Sequence, residues 1–139
     1  MQQGSLKFDI PSDLAAARDV QQQIMDAVHA AGFSENAVFA IKLSLEEALV
    51  NAIRHGNKLN PAKRVKVQAN INSTEAEIIV EDQGPGFDRS KVPDPTAEEN
   101  LTKCSGRGLL LMEAYMNTVE YSNRGRRVRL VKRNEPDDA

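Results

Sequence analysis

The sequence predicts an α+β fold, a two-layer α/β sandwich with helices on one face of a mixed or mostly antiparallel sheet. Three observations carry that prediction. Short stretches in which apolar and polar residues alternate occur early, midway and late in the chain, and that period belongs to half-buried strands. Two helical stripes stand between the first such stretch and the second. The resulting order, β-α-α-β-β-loop-α-β-β, pairs neighbouring strands and leaves the helices to cover one layer. With 139 residues the chain has the length of one domain, and residues 1–139 are read as a single unit.

Leu6 to Ile10 sets Leu6, Phe8 and Ile10 on one side, a half-buried strand. Pro11-Ser12-Asp13 stops it and offers a side-chain oxygen to cap the next helix. That helix runs from Leu14 through Ala17, Val20, Ile24, Ala27, Val28 and Ala31 until Gly32 ends it. Ser34 caps a second helix, with Glu35 in its favourable first turn. Its apolar stripe of Val38, Ile41, Leu45, Ala48, Leu49, Ala52 and Ile53 stops near Gly56. Asn60-Pro61 breaks the chain, and Val65, Val67, Ala69 and Ile71 make a strand. Asn72-Ser73-Thr74 turns it into a partner at Glu77 to Glu81. Asp82-Gln83-Gly84-Pro85-Gly86 cannot continue a regular element. Residues 88–105 form a long loop of the kind that serves as a lid or stays disordered. Gly106-Arg107-Gly108 opens a short helix, Leu109 to Met116, and a hairpin about Asn123-Arg124-Gly125 closes the domain. The acidic tail from Glu135 to Ala139 is expected to fray.

Composition removes several function classes. Cys104 is the single cysteine, so a disulfide framework or multi-cysteine metal centre is excluded, and His29 and His55 are too few for zinc. No run approaches the ~18 apolar residues of a membrane span, and Met1 to Ser5 does not resemble a leader, so a cytoplasmic protein without membrane contact is expected. Eighteen basic against 20 acidic residues, no Trp and 4% aromatic residues argue against direct nucleic-acid binding. There is no GxxxxGK[ST] segment, so any phosphate chemistry uses another cradle.

Three segments have the residue types for chemistry. Glu47 and Asn51 are four apart on a helix, hence on one face and about 5–6 Å apart. The Asn51 carbonyl is a hard oxygen ligand that suits Mg²⁺, and Glu47 can orient or deprotonate a nucleophile beside it. The same pair also suits a plain solvated helix face, which is where Glu46 is assigned. Asp82, followed by Gly84 and Gly86, lets a flat ligand approach the backbone while the carboxylate accepts a hydrogen bond; an ordinary strand-ending turn uses the same residues. Ser105-Gly106-Arg107-Gly108 opens a helix whose free N–H groups attract anions, unless the glycines serve only packing.

In this order the segments resemble those of the GHKL (Bergerat-fold) ATPases, in particular the small anti-sigma-factor serine/threonine kinases of sporulation and stress response. The resemblance runs from about Leu6 to Lys132 and rests on three stretches: Glu47-Ala48-Leu49-Val50-Asn51-Ala52-Ile53-Arg54-His55-Gly56, Asp82-Gln83-Gly84-Pro85-Gly86-Phe87 and Ser105-Gly106-Arg107-Gly108-Leu109-Leu110-Leu111-Met112. It implies a histidine-kinase-like ATPase fold with a mixed sheet and an ATP lid. It also implies an enzyme that uses ATP and Mg²⁺, with Asn51 on the metal and Glu47 as general base for a protein hydroxyl. Asp82 would accept the adenine amino group between Gly84 and Gly86, and Ser105, Gly106, Arg107 and Gly108 would hold phosphates. His55 would help hold the site or simply favour the helix end. The implied partners are a sigma factor, a STAS-domain anti-anti-sigma protein that receives the phosphoryl group, and a second copy in a homodimer.

Two departures stand out. The family often has Gly-Thr before its last apolar alternation, whereas Gly125 is followed here by Arg126 and Arg127. Before the second glycine segment stand Lys103, a candidate phosphate contact, and Cys104. Arg124, Arg126, Arg127, Arg129, Lys132 and Arg133 form either a partner or nucleic-acid patch or, more commonly for such a run, a solvated hairpin face. The Arg126-Arg127 departure motivates an alternative function, a nucleotide-gated binding protein without kinase activity. A catalytic half of a sensor histidine kinase is disfavoured, since His29 falls inside the domain itself.

Overall fold

The structure is a computed structural model that describes residues 4–85 and 112–135. Strand β1 (Gly4–Pro11) leads into α1 (Leu14–Ala30) and α2 (Glu35–Val50), the latter continued by one π-helical stretch, Asn51–Gly56. Strands β2 (Arg64–Ile71) and β3 (Glu75–Glu81) follow, and β4 (Thr118–Ser122) and β5 (Arg127–Arg133) complete the described elements. Residues 112–115 are helical, in agreement with the end of the expected short helix, and the rest of that helix lies outside the described residues.

Local chemistry sets the boundaries. Asp13 caps α1 by accepting the Ala15 N–H at 3.0 Å, and Gly32, at φ +82°, provides the left-handed step after the helix. Ser34 caps α2, its Oγ accepting the Ala37 N–H at 3.2 Å. That cap is itself anchored from the far end of the chain. The Asn134 side chain accepts the Ser34 N–H, and the Ser34 hydroxyl donates to the Glu135 carbonyl at 2.6 Å. Glu135 is therefore held, and the rest of the expected frayed tail lies outside the described residues.

The five strands lie in the order β1-β2-β3-β5-β4, and every pairing is antiparallel. Among the described residues the sheet is thus antiparallel rather than mixed. The reason is in the connections: two helices run out and back between β1 and β2, so β2 begins where β1 ends, with Pro11 opposite Arg64. Tight turns join β2 to β3 and β4 to β5.

Register aligns the inward residues in rows. Phe8, Val67, Val80, Val128 and Tyr121 form one row across all five strands, and Leu6, Ala69, Ile78, Leu130 and Val119 the next. Against them pack Val20, Ile24 and Val28 of α1 and Ile41, Leu45, Leu49 and Ile53 of the second helix, all essentially inaccessible to solvent. The outward face is mostly polar, with Ile79 and Val131 among its charged residues. There Arg129 bridges Glu77 at 2.5 Å and Glu120 at 2.9 Å, and Asn70 donates to Glu77. These partners, the Arg129 hydrogen bond first and the Asn70 bond second, hold the Glu77 carboxyl below the usual glutamate range.

Candidate functional site

The second helix and the end of β3 meet over the sheet. Asn51 stands where α2 changes to i→i+5 bonding, a local widening that often marks functional positions. The Asn57 N–H closes that wider turn on the Ala52 carbonyl at 2.8 Å. Asn51 is 4% exposed, and neither its side-chain oxygen nor its nitrogen has a hydrogen-bond partner among the described residues. A buried amide with both ends unmatched costs about 1–3 kcal/mol per group unless a ligand completes it. Its carbonyl is the neutral hard oxygen that suits Mg²⁺, so this residue fits the ion that the sequence resemblance implies.

Across from it, Asp82 is also 4% exposed. Its Oδ1 accepts the Gly84 N–H at 2.9 Å, which folds the chain back after β3. Asn51 and Asp82 line one narrow cavity of about 10 Å³, room for about one water molecule, together with Ala48, Ala52, Val80, Tyr121, Gly125, Arg126 and Val128. Residues 51 and 82, the proposed metal ligand and the proposed reader of the base, are therefore neighbours in one pocket. Gly84 is required where it stands: a Cβ there would overlap the Gly56 carbonyl group and lie 3.0 Å from the Gly56 Cα. Two backbones pass in contact, and only glycine allows it.

Asn57, 1% exposed, fastens this approach. Its Oδ1 accepts the Gln83 N–H at 2.7 Å, while its Nδ2 donates to the Ser12 hydroxyl at 2.9 Å and the Arg64 carbonyl at 3.0 Å. Gln83 returns a bond through its side chain, accepting the Arg64 N–H at 2.7 Å. From the hairpin side the Arg126 carbonyl accepts the Asp82 N–H at 2.9 Å. The Arg126 guanidinium donates to the carbonyls of Gly84 at 2.6 Å and Pro85 at 3.0 Å.

Glu47 lies one turn before Asn51 and is half-buried, without an ion pair among the described residues. Glu46 is exposed, as assigned. His55 is half-buried at the end of the π-helical stretch. Gly86, Lys103, Ser105, Gly106, Arg107 and Gly108, and with them the lid at 88–105 and Cys104, lie outside the described residues. The basic hairpin is not one patch: Arg126 is turned to the loop, Arg129 to two glutamates, and Lys132 stands 3.6 Å from Glu135. Sequence reasoning did not single out Asn57 or Tyr121 as site residues, and saw Arg126 as a departure and as one member of a basic cluster. The adjacency of Asn57 to the helix-ending Gly56 was the one available signal for the first.

The fold has counterparts among known proteins. Residues 10–132 match the family described as Histidine kinase-like ATPase domain. A serine-protein kinase RsbW of Oceanobacillus iheyensis is 32% identical over 98 residues, covering 66% of this chain and 62% of that protein. An anti-sigma F factor of Clostridium perfringens is 34% identical over 95 residues, covering 66% and 67%. The match thus spans about two thirds of these relatives. The crystal structure of the RsbU and RsbW domains of Rv1364c from Mycobacterium tuberculosis superposes with a TM-score of 0.64 over 95% of this chain and 32% of that one, at 16% identity. No helix among the described residues is long and apolar enough to cross a membrane.

Proposed function

Since the chain belongs to the histidine kinase-like ATPase domain family, we propose that it is an ATP- and Mg²⁺-dependent serine/threonine protein kinase that acts as an anti-sigma factor. Its phosphoryl acceptor is a STAS-domain anti-anti-sigma protein, and its other partner a sigma factor. The relatives named serine-protein kinase RsbW and anti-sigma F factor support the class of partner. The single observation that carries the reading is the shared cavity of Asn51 and Asp82, with the Asn51 amide buried and unmatched.

In this reading Asp82 accepts the exocyclic amino group of adenine, and Gly84 keeps the loop close enough to the helix for the base to enter. Asn51 supplies a carbonyl oxygen to the cation. Mg²⁺ would be held there by the Asn51 carbonyl and, when bound, would supply positive charge to offset the charge of the transferring phosphoryl group. Glu47, one turn before Asn51, receives the proton of the attacking serine or threonine hydroxyl. The chain's part is mainly positioning and charge, as phosphoryl transfer requires. Lys103, Ser105, Gly106, Arg107 and Gly108 are the phosphate contacts in this reading. Two copies of the chain form a homodimer in the cytoplasm.

The test is incubation with Mg·ATP and a STAS-domain partner encoded beside the gene. Mass spectrometry then reads the gain of one phosphoryl group, which Glu47→Ala and Asn51→Ala should abolish. Transfer that survives both substitutions would falsify the assignment of roles. Nucleotide binding without any transfer in the wild type would favour a nucleotide-gated binding protein instead.

A further inference from the structure

We propose that Arg126 is a positioning residue for base recognition: its guanidinium holds the Asp82–Pro85 loop in the shape that presents the Asp82 carboxylate to the nucleotide. The inference rests on the nucleotide-binding reading above. Beyond Glu81 the β3 ladder ends, and the Asp82 N–H reaches the Arg126 carbonyl at 2.9 Å. Farther along, the carbonyls of Gly84 and Pro85 lie beyond the end of the strand. One edge of the Arg126 fork takes both, Nε to Gly84 at 2.6 Å and Nη2 to Pro85 at 3.0 Å. Nη1 lies 3.4 Å from the Asn123 carbonyl and ties the guanidinium to its own turn.

Arginine suits this task for a geometric reason. Its planar fork carries two parallel donors with fixed spacing, so it fixes the relative position of two acceptors, which the single ammonium of lysine cannot do. The loop is thus gripped from both sides. Asn57 holds the Gln83 N–H from the helix side, and Arg126 holds the two carbonyls from the hairpin side. Arg126 also lines the cavity with Asn51 and Asp82, so a shift of the loop is a shift of the carboxylate within the pocket. Without the fork, the loop samples other shapes, and apparent affinity falls in proportion to the fraction that remains competent.

Calorimetric titration of Mg·ATP and Mg·inosine triphosphate into wild type, Arg126→Lys and Arg126→Gln tests this. Inosine carries a carbonyl where adenine carries its amino group, so a fixed carboxylate rejects it. Hydrogen exchange at Gln83 and Gly84 in the nucleotide-free proteins gives a readout independent of binding. Both variants are expected to bind Mg·ATP about tenfold more weakly, the result of a competent fraction near one tenth. They should also discriminate less against inosine and exchange the two amides faster. Arg126→Lys keeps the charge and the stem, so it carries the test should Arg126→Gln fold poorly. Wild-type behaviour of the lysine variant overturns the proposal. So does equal weakening for both nucleotides with unchanged exchange, which indicates charge alone. A wild type that binds ATP and inosine triphosphate alike overturns it as well. A wild type that binds neither overturns the nucleotide reading itself, and this inference with it.

Discussion

Asn51 and Asn57 are six positions apart, both buried and both amides, yet they are used in opposite ways. The Asn57 side chain makes three hydrogen bonds, to Ser12, Arg64 and Gln83, whereas the Asn51 side chain makes none among the described residues. Their substitutions should separate cleanly. Asn57→Ala leaves the Gln83 N–H and the Ser12 hydroxyl without that partner, and should destabilise the fold by about 1–3 kcal/mol in urea unfolding. Asn51→Leu removes an unmatched buried amide and should leave stability unchanged or raised, while Mg·ATP binding by calorimetry is lost. At Gly84 even a methyl group meets backbone, so Gly84→Ala should cost about 1–3 kcal/mol and weaken nucleotide binding as well.

At the level of elements, the caps and the sheet surface are the places to perturb. Ser34→Ala should cost about 1 kcal/mol in thermal or urea unfolding, because the same hydroxyl that caps α2 also holds Glu135. On the open face of the sheet Glu77 has a lowered pKa, so the unfolded chain binds its proton more readily than the folded one. Its contribution is present above the ordinary glutamate range and is lost as pH falls through and below that range. Glu77 is partly exposed, so the effect is modest, about 1 kcal/mol or less. Glu77→Gln should flatten the acid side of a stability profile measured against pH. These elements were largely legible beforehand. Asp13, Gly32 and Ser34 punctuate the helices as their side chains dictate, and alternation marked β2 within a residue of its observed bounds. The π-helical stretch was not legible, because Asn51–Gly56 continues the apolar periodicity of α2 and its different bonding leaves no trace in that pattern.

For the molecule as a whole, the binding reading predicts a ligand-linked rise in stability. At a nucleotide concentration about 100 times Kd the gain is about 2.7 kcal/mol, roughly 10 °C in Tm for a chain of this size. A thermal melt with millimolar Mg·ATP should show it in the wild type and lose it in Asp82→Asn. The convergence behind that prediction was only half visible in the sequence. Asn51 and Asp82 were each singled out, but what joins them is long-range: the Asn57 amide reaches 26 positions to Gln83, and the Arg126 fork 42 positions back to Gly84. Bonds from side chain to distant backbone have no period, so they surface only once the sheet order is known.

The contact between Gly56 and Gly84 also has a genetic consequence. When a substitution crowds a side chain, a second change can make room by shrinking it. Here the obstacle to any larger residue at 84 is the main chain at 56, which no substitution at 56 can trim. A suppressor screen begun from Gly84→Ala should therefore return no compensating change at 56. Rescue should instead map to residues that set the spacing of the two backbones, such as Asn57 and Arg126.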